Sequence, residues 1–313
     1  PFSKLKHIIT LLSIFFKNNI IIIMVNNMWI IYALVSSIFS GLTSILASYS
    51  SKLNKVDSIL ITTIRTFIIL ILSFISTIFF GKLSQITTLS LKTIIFLILS
   101  GVSTTLLWIF YFKALDTGDV SKVTPIDKTS IVLILILSMI FLHEKITIIK
   151  IISITLILIG TLLTVNKKTT NEKDNKWILY SVLTAIFTST TTIISKIGLN
   201  NIDSVLATFI RTVIVFIILM FIVIFKKKYV YLKDISKKSM KYVIYSGITN
   251  TLSWLFYFAS LKDGETSIVF TIEKLSIVVT ILLSVIFLKE KLNRKQIIGI
   301  IIIVIATSLL MFT

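Results

Sequence analysis

The sequence predicts an all-α polytopic membrane protein, and its composition supplies the first reasons. Hydrophobic residues make up 56% of the 313 positions, only 14% are charged, and the mean hydropathy is +1.01. Soluble domains carry about 25% charged residues. Because apolar runs recur along the whole chain, a single buried core could not account for this excess.

The spacing of the apolar runs supplies the next reason. Ten runs, each bounded by charged or turn residues, are long enough to form a helix that crosses a bilayer of about 30 Å. We therefore predict ten transmembrane helices joined by short loops. The predicted spans are residues 29–48, 56–80, 91–112, 120–142, 146–165, 177–195, 203–225, 240–261, 266–288 and 295–312.

The charge distribution fits the same class. The formal net charge is +19, and much of the lysine lies between spans, as in residues 166–176 and 226–241. Lysines beside spans act as topogenic signals and contact anionic lipid headgroups, so we expect no nucleic-acid partner. The absence of Cys from the sequence excludes disulfides and thiolate metal sites.

Residues 1–25 hold two short apolar segments separated by Lys17, Asn18 and Asn19, without a small-residue cleavage site after them. A cleaved signal peptide is therefore not expected. We interpret these residues as an N-terminal extension that lies at the membrane interface, with an additional span as the alternative.

The chain contains an internal duplication. Residues 101–146 align without a gap with residues 247–292, and about half of the positions are identical. Equivalent residues lie 146 positions apart, as Arg65 and Arg211 do. A match of this length indicates two homologous halves of five spans each.

The duplication sets the predicted organisation. The first repeat covers residues 26–165, a polar linker covers 166–176, and the second repeat covers 177–313. Because five is odd, the second repeat must enter the membrane from the opposite side. The sequence therefore predicts two inverted five-helix repeats, an architecture in which secondary transporters bind substrate near the midplane.

The end of the fourth span carries a motif that recurs in both halves. IFLHEK (140–145) and IFLKEK (286–291) place Glu144 and Glu290 at membrane exits ahead of another span. At these motifs, and over residues 29–310, the sequence resembles the EamA family of the drug/metabolite transporter superfamily. The resemblance implies a ten-helix transporter whose central cavity is lined mainly by the third and fourth spans of each half.

Two features depart from the family pattern. The fifth span in that family often carries two glycines seven residues apart, whereas each half here keeps one, Gly160 or Gly299. The usual proline of the fourth span is absent at Ile131 and Ile277, while Pro125 stands earlier in the first half only. The resemblance therefore does not imply a proline hinge in this chain.

Charged and aromatic residues recur at equivalent positions inside the spans. Charges inside spans face the bundle interior and mark transport pathways. Counted from the span ends, one set falls in a single layer of the membrane and the inverted repeat places its equivalents in a mirror layer. The predicted pathway residues are Arg65, Trp108, Tyr111, Asp127 and Lys128 in one half-site, and Arg211, Trp254, Tyr257, Glu273 and Lys274 in the other.

The acidic residues of this set suggest specific ion pairs. Asp127 and Lys128 are adjacent, so an ideal helix points their side chains about 100° apart. We therefore expect Asp127 to pair with Arg65. The equivalent pair is Glu273 with Arg211, which would leave the lysines free to face a cavity. Alternatively, the basic side chains reach the headgroups and the aromatic ones form the interfacial belt.

The exit glutamates have a simpler interpretation. Glu144 and Glu290 each precede a lysine, which is typical of a solvated cap or a loop ion pair. His143 is matched by Lys289 in the other half, so no metal or proton-relay role is expected. No nucleotide-binding motif is present in the sequence, and we expect no cofactor, no ATP hydrolysis and no enzymatic activity.

Membrane orientation stays open. The loops after spans 1, 3, 5, 7 and 9 hold roughly twice the Lys and Arg of the other loops and tails, which by the positive-inside rule places them in the cytoplasm and both ends of the ten-span unit outside. The family resemblance implies that both ends are cytoplasmic.

These observations favour a secondary transporter in the cell membrane that exports a small metabolite or amino-acid-like compound by alternating access. Its expected partners are a small-molecule substrate and the lipid bilayer, and the chain would act as a monomer or homodimer. A flippase for an amphipathic lipid-linked carrier is the alternative, and a lateral opening to lipid would distinguish it. A non-transporting scaffold would have no cavity.

Overall fold

The computed structural model describes residues 27–53, 57–117, 123, 126–164, 176–287 and 292–310. Every regular element in these ranges is a helix. The predicted N-terminal extension, Glu290, Pro125 and all of the linker except Lys176 lie outside the described residues.

The α-helices are numbered in chain order. They are α1 (Met28–Leu53), α2 (Ser58–Phe79), α3 (Leu91–Thr117), α4 (Ser130–Leu142), α5 (Ile148–Thr164), α6 (Lys176–Gly198), α7 (Ser204–Phe225), α8 (Lys237–Asp263), α9 (Thr266–Glu273), α10 (Leu275–Phe287) and α11 (Arg294–Leu310). Short 3-10 helices, Leu83–Thr88 and Lys228–Asp234, follow α2 and α7.

Six membrane spans are supported by length and composition in the described part of the chain. Five of them lie in α1, α2, α3, α6 and α7, and the sixth is the segment Thr266–Phe287, which consists of α9, Lys274 and α10. The apolar helix α5 has 17 residues, α4 has 13 and α11 has 17, and α8 begins with Lys237 and Lys238. The chain is therefore a multi-pass membrane protein, and the number ten stays a prediction.

The second helix of each half begins with the same cap. The Asp57 carboxylate accepts hydrogen bonds from the N–H groups of Ile59 at 2.9 Å and Leu60 at 3.2 Å. Its repeat equivalent Asp203 accepts from the N–H of Val205 at 2.9 Å. Each aspartate thus satisfies backbone donors that a helix leaves unpaired at its start.

The fourth predicted span of each half is interrupted beside its acidic–basic pair. In the first half residues 126–128 are helical, Thr129 forms a turn and α4 begins at Ser130. In the second half Lys274 separates α9 from α10, and its N–H donates to the carbonyl of Thr271 at 3.0 Å. This i→i+3 bond is a local turn of 3-10 geometry, so side-chain directions here depart from those of an ideal α-helix.

The two halves pack against each other through reciprocal helix pairs. Helix α1, the first of its half, packs on α8, the third of the other half. Helices α6 and α3 form the equivalent pair. Helices α2 and α5 pack on their own equivalents, α7 and α11. A pattern that survives exchange of the halves indicates a pseudo-two-fold axis between them.

Two ion pairs show that α2 and α7 run antiparallel. Lys228, which follows α7, pairs with Asp57 at the start of α2 at 2.5 Å. Lys82, which follows α2, pairs with Asp203 at the start of α7 at 3.3 Å. The two pairs are repeat equivalents, so equivalent helices of the two halves point in opposite directions.

Most of the apolar core lies in the half of the bundle where α1 begins, which we call the Trp29 end. One cluster includes Ile30, Ile134, Ile157, Ile268 and Leu310, and a second includes Leu97, Leu199, Leu206, Phe258 and Leu261. The opposite end, where α5 finishes, is called the Thr164 end. A third and smaller cluster, Val278 with Ile300 and Ile303, lies between α10 and α11. Most of the core thus fills the Trp29 end and leaves room for cavities toward the other end.

Candidate functional site

A cavity of about 330 Å³, which we call the inner cavity, lies in the middle of the bundle. Six of the predicted pathway residues line it, namely Arg65, Trp108, Arg211, Trp254, Tyr257 and Glu273. The remaining wall is rich in hydroxyl and amide groups, from Ser36, Ser40, Thr43, Ser44, Thr104, Thr188, Thr191, Thr192, Asn250 and Ser253. The inner cavity is therefore polar although membrane helices surround it.

A larger cavity of about 630 Å³, the outer cavity, adjoins the inner one and extends to Thr164. The two share wall residues that include Ser40, Trp108, Thr188 and Glu273. The other four predicted residues, Tyr111, Asp127, Lys128 and Lys274, line the outer cavity. The structure thus brings all ten predicted residues to two connected cavities.

The predicted division into one layer per half stays a prediction, and each cavity draws on both halves. Arg65 and Arg211 share the inner cavity, and Lys128 and Lys274 share the outer one. Arg65 lies seven residues after the start of α2 and Arg211 seven after the start of α7, in helices of 22 residues. At 1.5 Å per residue, arginines that enter from opposite ends are separated by only about 12 Å along the axis.

The predicted ion pairs of the arginines are wrong. Lys128 pairs with Asp127 at 2.8 Å, and Lys274 pairs with Glu273 at 3.4 Å. Within the described residues, neither Arg65 nor Arg211 forms an ion pair. The interruption of the fourth span explains the error, because the 100° separation assumed for adjacent residues applies to a regular helix.

The Glu273–Lys274 pair lies where the two cavities meet, because Glu273 lines both of them. The Glu273 carboxylate also accepts a hydrogen bond from the Ser40 hydroxyl at 2.9 Å. The Lys274 ammonium lies 3.7 Å from the centroid of the Phe270 ring. A cation is attracted to the face of an aromatic ring, so the position of Lys274 is fixed from two sides.

Aromatic side chains hold Arg211 in place. Its guanidinium carbon lies 4.8 Å from the centroid of the Trp254 ring and 4.9 Å from that of Phe258. Trp254 in turn stacks on Trp108, with centroids 5.8 Å apart and planes at 28°. These tryptophans therefore contact each other across the two halves, and the alternative of an interfacial belt does not apply to them.

The Trp29 end is sealed by contacts between the halves. Glu144 accepts hydrogen bonds from the N–H of Thr266 at 2.5 Å and from the N–H of Ser267 at 3.1 Å, and it also accepts from the Ser267 hydroxyl at 2.6 Å. Lys150, which is only 2% exposed, pairs with Glu265. Glu144 thus caps the start of α9, a helix of the other half. Its interpretation as a solvated cap or part of a loop ion pair did not anticipate this contact.

A third contact closes the same end. The Lys196 ammonium donates to the carbonyls of Leu261, Lys262 and Gly264 at 2.7 to 2.9 Å, where α8 ends. A cation is favoured at the C-terminus of a helix. The Trp29 ring lies so close to Gly264 that an added methyl group would stand 2.4 Å from it. None of the residues in these contacts lines either cavity, so both cavities end before this side of the bundle.

The geometry can be set beside known proteins. A model of the EamA-like transporter family matches this sequence twice, over residues 27–166 and 175–312. The chain belongs to the EamA-like transporter family. It is accordingly a membrane transporter of the drug/metabolite transporter superfamily, with the family unit present twice.

Relatives of the EamA-like chain match it over one repeat or more. An uncharacterized transporter encoded in the cobO 3′ region of a Sinorhizobium species is 34% identical over 134 residues, which are 43% of this chain and 95% of that protein. The uncharacterized transporter YxxF of Bacillus subtilis is 27% identical over 200 residues, 63% of each chain. The first relative is thus about as long as one half of this chain.

A solved crystal structure has the same fold as this EamA-like chain. It aligns with a TM-score of 0.74 over 89% of this chain and 96% of the other, at 15% sequence identity. An identity this low shows the fold alone.

Several polar residues of the site were missed from the sequence. Lys150, Lys196 and Glu265 lie near span ends, where charges are ordinary, and nothing in their spacing separates them from solvated charges. The hydroxyl groups of the inner cavity are dispersed among the many Ser and Thr of the spans. Glu144 was singled out from its recurring IFLHEK motif, but its partners in the other half were not predicted.

Metal binding has no support in the described ranges. No group of three or more His, Asp or Glu side chains that could hold a metal ion occurs among the described residues.

Proposed function

We propose that this EamA-like protein is a secondary transporter that exports a small metabolite or amino-acid-like compound by alternating access. The observation that carries the proposal is the pair of connected polar cavities that reach the Thr164 end and are sealed at the Trp29 end. A pocket of several hundred Å³ suits a small ligand. A polar chamber that opens to one side of a bundle at a time is what alternating access requires.

The relation between the halves supports this mechanism. Equivalent helices are antiparallel, reciprocal helix pairs join the halves, and the interrupted fourth spans meet at the cavities. In ten-span form these halves would be inverted repeats. A structure sealed at one end then has an alternative state of nearly equal packing, in which the repeats exchange roles and the other end is sealed. Rocking one repeat against the other would move the opening across a fixed site.

A transport screen tests the proposal. Purified protein is reconstituted in vesicles preloaded with a mixture of metabolites, and loss from the lumen and uptake from the medium are both followed by mass spectrometry. We expect release of one chemical class at a rate well above that of protein-free vesicles, with faster movement when the same class is present on the other side. Movement of an amphipathic lipid-linked carrier and of no soluble metabolite would favour a flippase instead.

A further inference from the structure

The cavities hold two arginines whose charge the protein does not neutralise. Of the charged residues that line the cavities, Asp127 and Glu273 are the acidic ones, and each is paired with the lysine that follows it. Arg65 and Arg211 face the inner cavity and form no ion pair within the described residues. An unpaired charge in a membrane interior is costly, so these two need an explanation in the function of the protein.

The hydrogen bonds of the arginines are equally incomplete. The Nε atoms of both Arg65 and Arg211 are buried and have no acceptor in the described part of the chain. Arg211 is only 6% exposed, and its one contact with an acceptor is from Nη2 to the Thr104 hydroxyl at 2.5 Å. A guanidinium has five N–H donors and accepts nothing. Buried donors without partners destabilise a protein unless a ligand supplies acceptors.

The aromatic rings determine from which side an acceptor can reach the N–H donors of Arg211. Because Trp254 and Phe258 lie against the Arg211 guanidinium, an acceptor reaches this group at its edge. A carboxylate or phosphoryl group presents oxygens in the geometry that matches a guanidinium edge. The hydroxyl of Thr191, which lines the inner cavity and has no partner in the described part of the chain, can donate to a further oxygen of the same anion.

We propose that the transported compound is a small organic anion, whose carboxylate or phosphoryl group binds between Arg65 and Arg211. This inference rests on the proposed function and adds the chemical class of the substrate. The rest of the transported compound occupies the outer cavity, which shares Trp108 and Glu273 with the inner cavity. Cations are disfavoured because they would meet two unneutralised guanidinium groups.

Thermal unfolding of the full chain in detergent tests this assignment. The probes are benzoate, succinate and phenyl phosphate, each paired with an uncharged analogue: benzamide, succinamide or phenol. A ligand that binds the folded state raises Tm. We expect at least one anion to raise Tm by about 2–4 °C at saturating concentration, and its uncharged analogue to have no effect.

The variants separate a binding role from a structural one. Arg65→Gln and Arg211→Gln should lose the shift, whereas Arg294→Gln, which removes an exposed arginine outside the cavities, should keep it. Because Arg65 has no ion-pair partner and its Nε no acceptor among the described residues, Arg65→Gln should fold and have a Tm without ligand at least as high as that of the wild type. Arg211→Lys should keep part of the shift, because it retains the charge and loses the planar fork.

Three outcomes would overturn the substrate assignment. They are equal shifts by an anion and its uncharged analogue, an undiminished shift in Arg65→Gln, and stabilisation by phosphatidylglycerol but by none of the soluble anions, which would assign the site to a lipid headgroup. The vesicle screen reports separately on the proposed function. Export of neutral or cationic compounds would retain transport and refute the anion, and absence of any transport would refute the proposed function whatever the Tm shifts.

Discussion

At the scale of single residues, the site separates two kinds of charge. The lysines of the fourth spans are neutralised by the carboxylates beside them, and the arginines of the second spans are left for a ligand. Neighbours at i and i+1 do not usually face each other on a helix. The pairing here depends on the interruption of the helix at Thr129 in one half and at Lys274 in the other.

Double-mutant cycles can measure this pairing. Asp127→Asn combined with Lys128→Gln should show a coupling energy in the free energy of unfolding of about 0.5–3 kcal/mol, the range for residues in contact. Asp127→Asn combined with Arg65→Gln should be additive within about 0.5 kcal/mol. A larger coupling with Arg65 than with Lys128 would contradict the site as described.

At the scale of helices, close packing between the halves depends on repeat-related glycines. A methyl group added at Gly101 would stand 2.9 Å from Cβ of Ile214, and one added at Gly247 would stand 2.9 Å from Cβ of Ile68. Gly247 lies 146 positions after Gly101, and Ile214 lies 146 positions after Ile68. The same close contact therefore occurs twice, once between α3 and α7 and once between α8 and α2.

Alanine substitution tests this symmetry. Gly101→Ala and Gly247→Ala should each lower the free energy of unfolding by about 1–3 kcal/mol, because overpacking forces neighbouring groups to move. The two losses should agree closely, as measured by denaturant unfolding in detergent micelles. Gly198→Ala is the control, since its nearest neighbour would be 3.3 Å away, and it should cost less. A neutral change at one of the two repeat-related glycines would argue against equivalent interfaces.

The seal at the Trp29 end is not symmetric in sequence. Lys150 pairs with Glu265, but its repeat equivalent is Gln296, whose amide donates to the carbonyl of Thr164 at 3.4 Å. The glutamate partner is about half exposed (49%), so we take the interaction to be worth only about 1 kcal/mol. The Trp29 end therefore has an ion pair of Lys150, whereas the equivalent position at the Thr164 end is the uncharged Gln296. This difference biases the protein toward the observed state.

Lys150→Gln should remove the bias. A loss of about 1 kcal/mol shifts a two-state equilibrium about fivefold, so a thiol probe introduced behind the seal should react about five times faster. Lys92→Gln removes an exposed lysine at the same end of the bundle and should leave the rate unchanged. Identical rates in the two variants would show that Lys150 does not hold the seal.

At the scale of the whole molecule, the all-helical membrane class and the duplication followed from the sequence, and the ten residues predicted to form a pathway line the two cavities. The contact between the equivalent residues Trp108 and Trp254 was not predicted, because their positions in the spans assigned the two to separate layers. The prediction that failed was the relative direction of adjacent side chains, Asp127 with Lys128 and Glu273 with Lys274. The helix interruptions at Thr129 and Lys274 carry no signal in the sequence, and they decide which cation each carboxylate binds.

The seal was beyond prediction for a different reason. Contacts such as Glu144 with Ser267 join positions more than a hundred residues apart in the chain. They exist only in the conformation that closes the Trp29 end. Sequence periodicity describes single helices and repeats, and it contains no information about which of two nearly equivalent ends is closed.

Alternating access is the central claim, and one face of α6 tests it. Thr188 lines both cavities, whereas Ser195, two turns further along the same face, is 2% exposed at the sealed end and its hydroxyl has no partner in the described part of the chain. The chain has no native cysteine, so Thr188→Cys and Ser195→Cys each provide a single thiol. A lipid-facing or buried thiol stays protonated and reacts slowly.

The deciding measurement is the rate at which a membrane-impermeant thiol reagent labels each variant from each side of sealed vesicles, with and without a transported compound. We predict that Thr188→Cys is labelled from the side of the Thr164 end and that Ser195→Cys is protected. Adding the compound should slow the first reaction and allow the second, from the opposite side only. Labelling of both thiols from the same side, or rates that do not change reciprocally, would contradict alternating access.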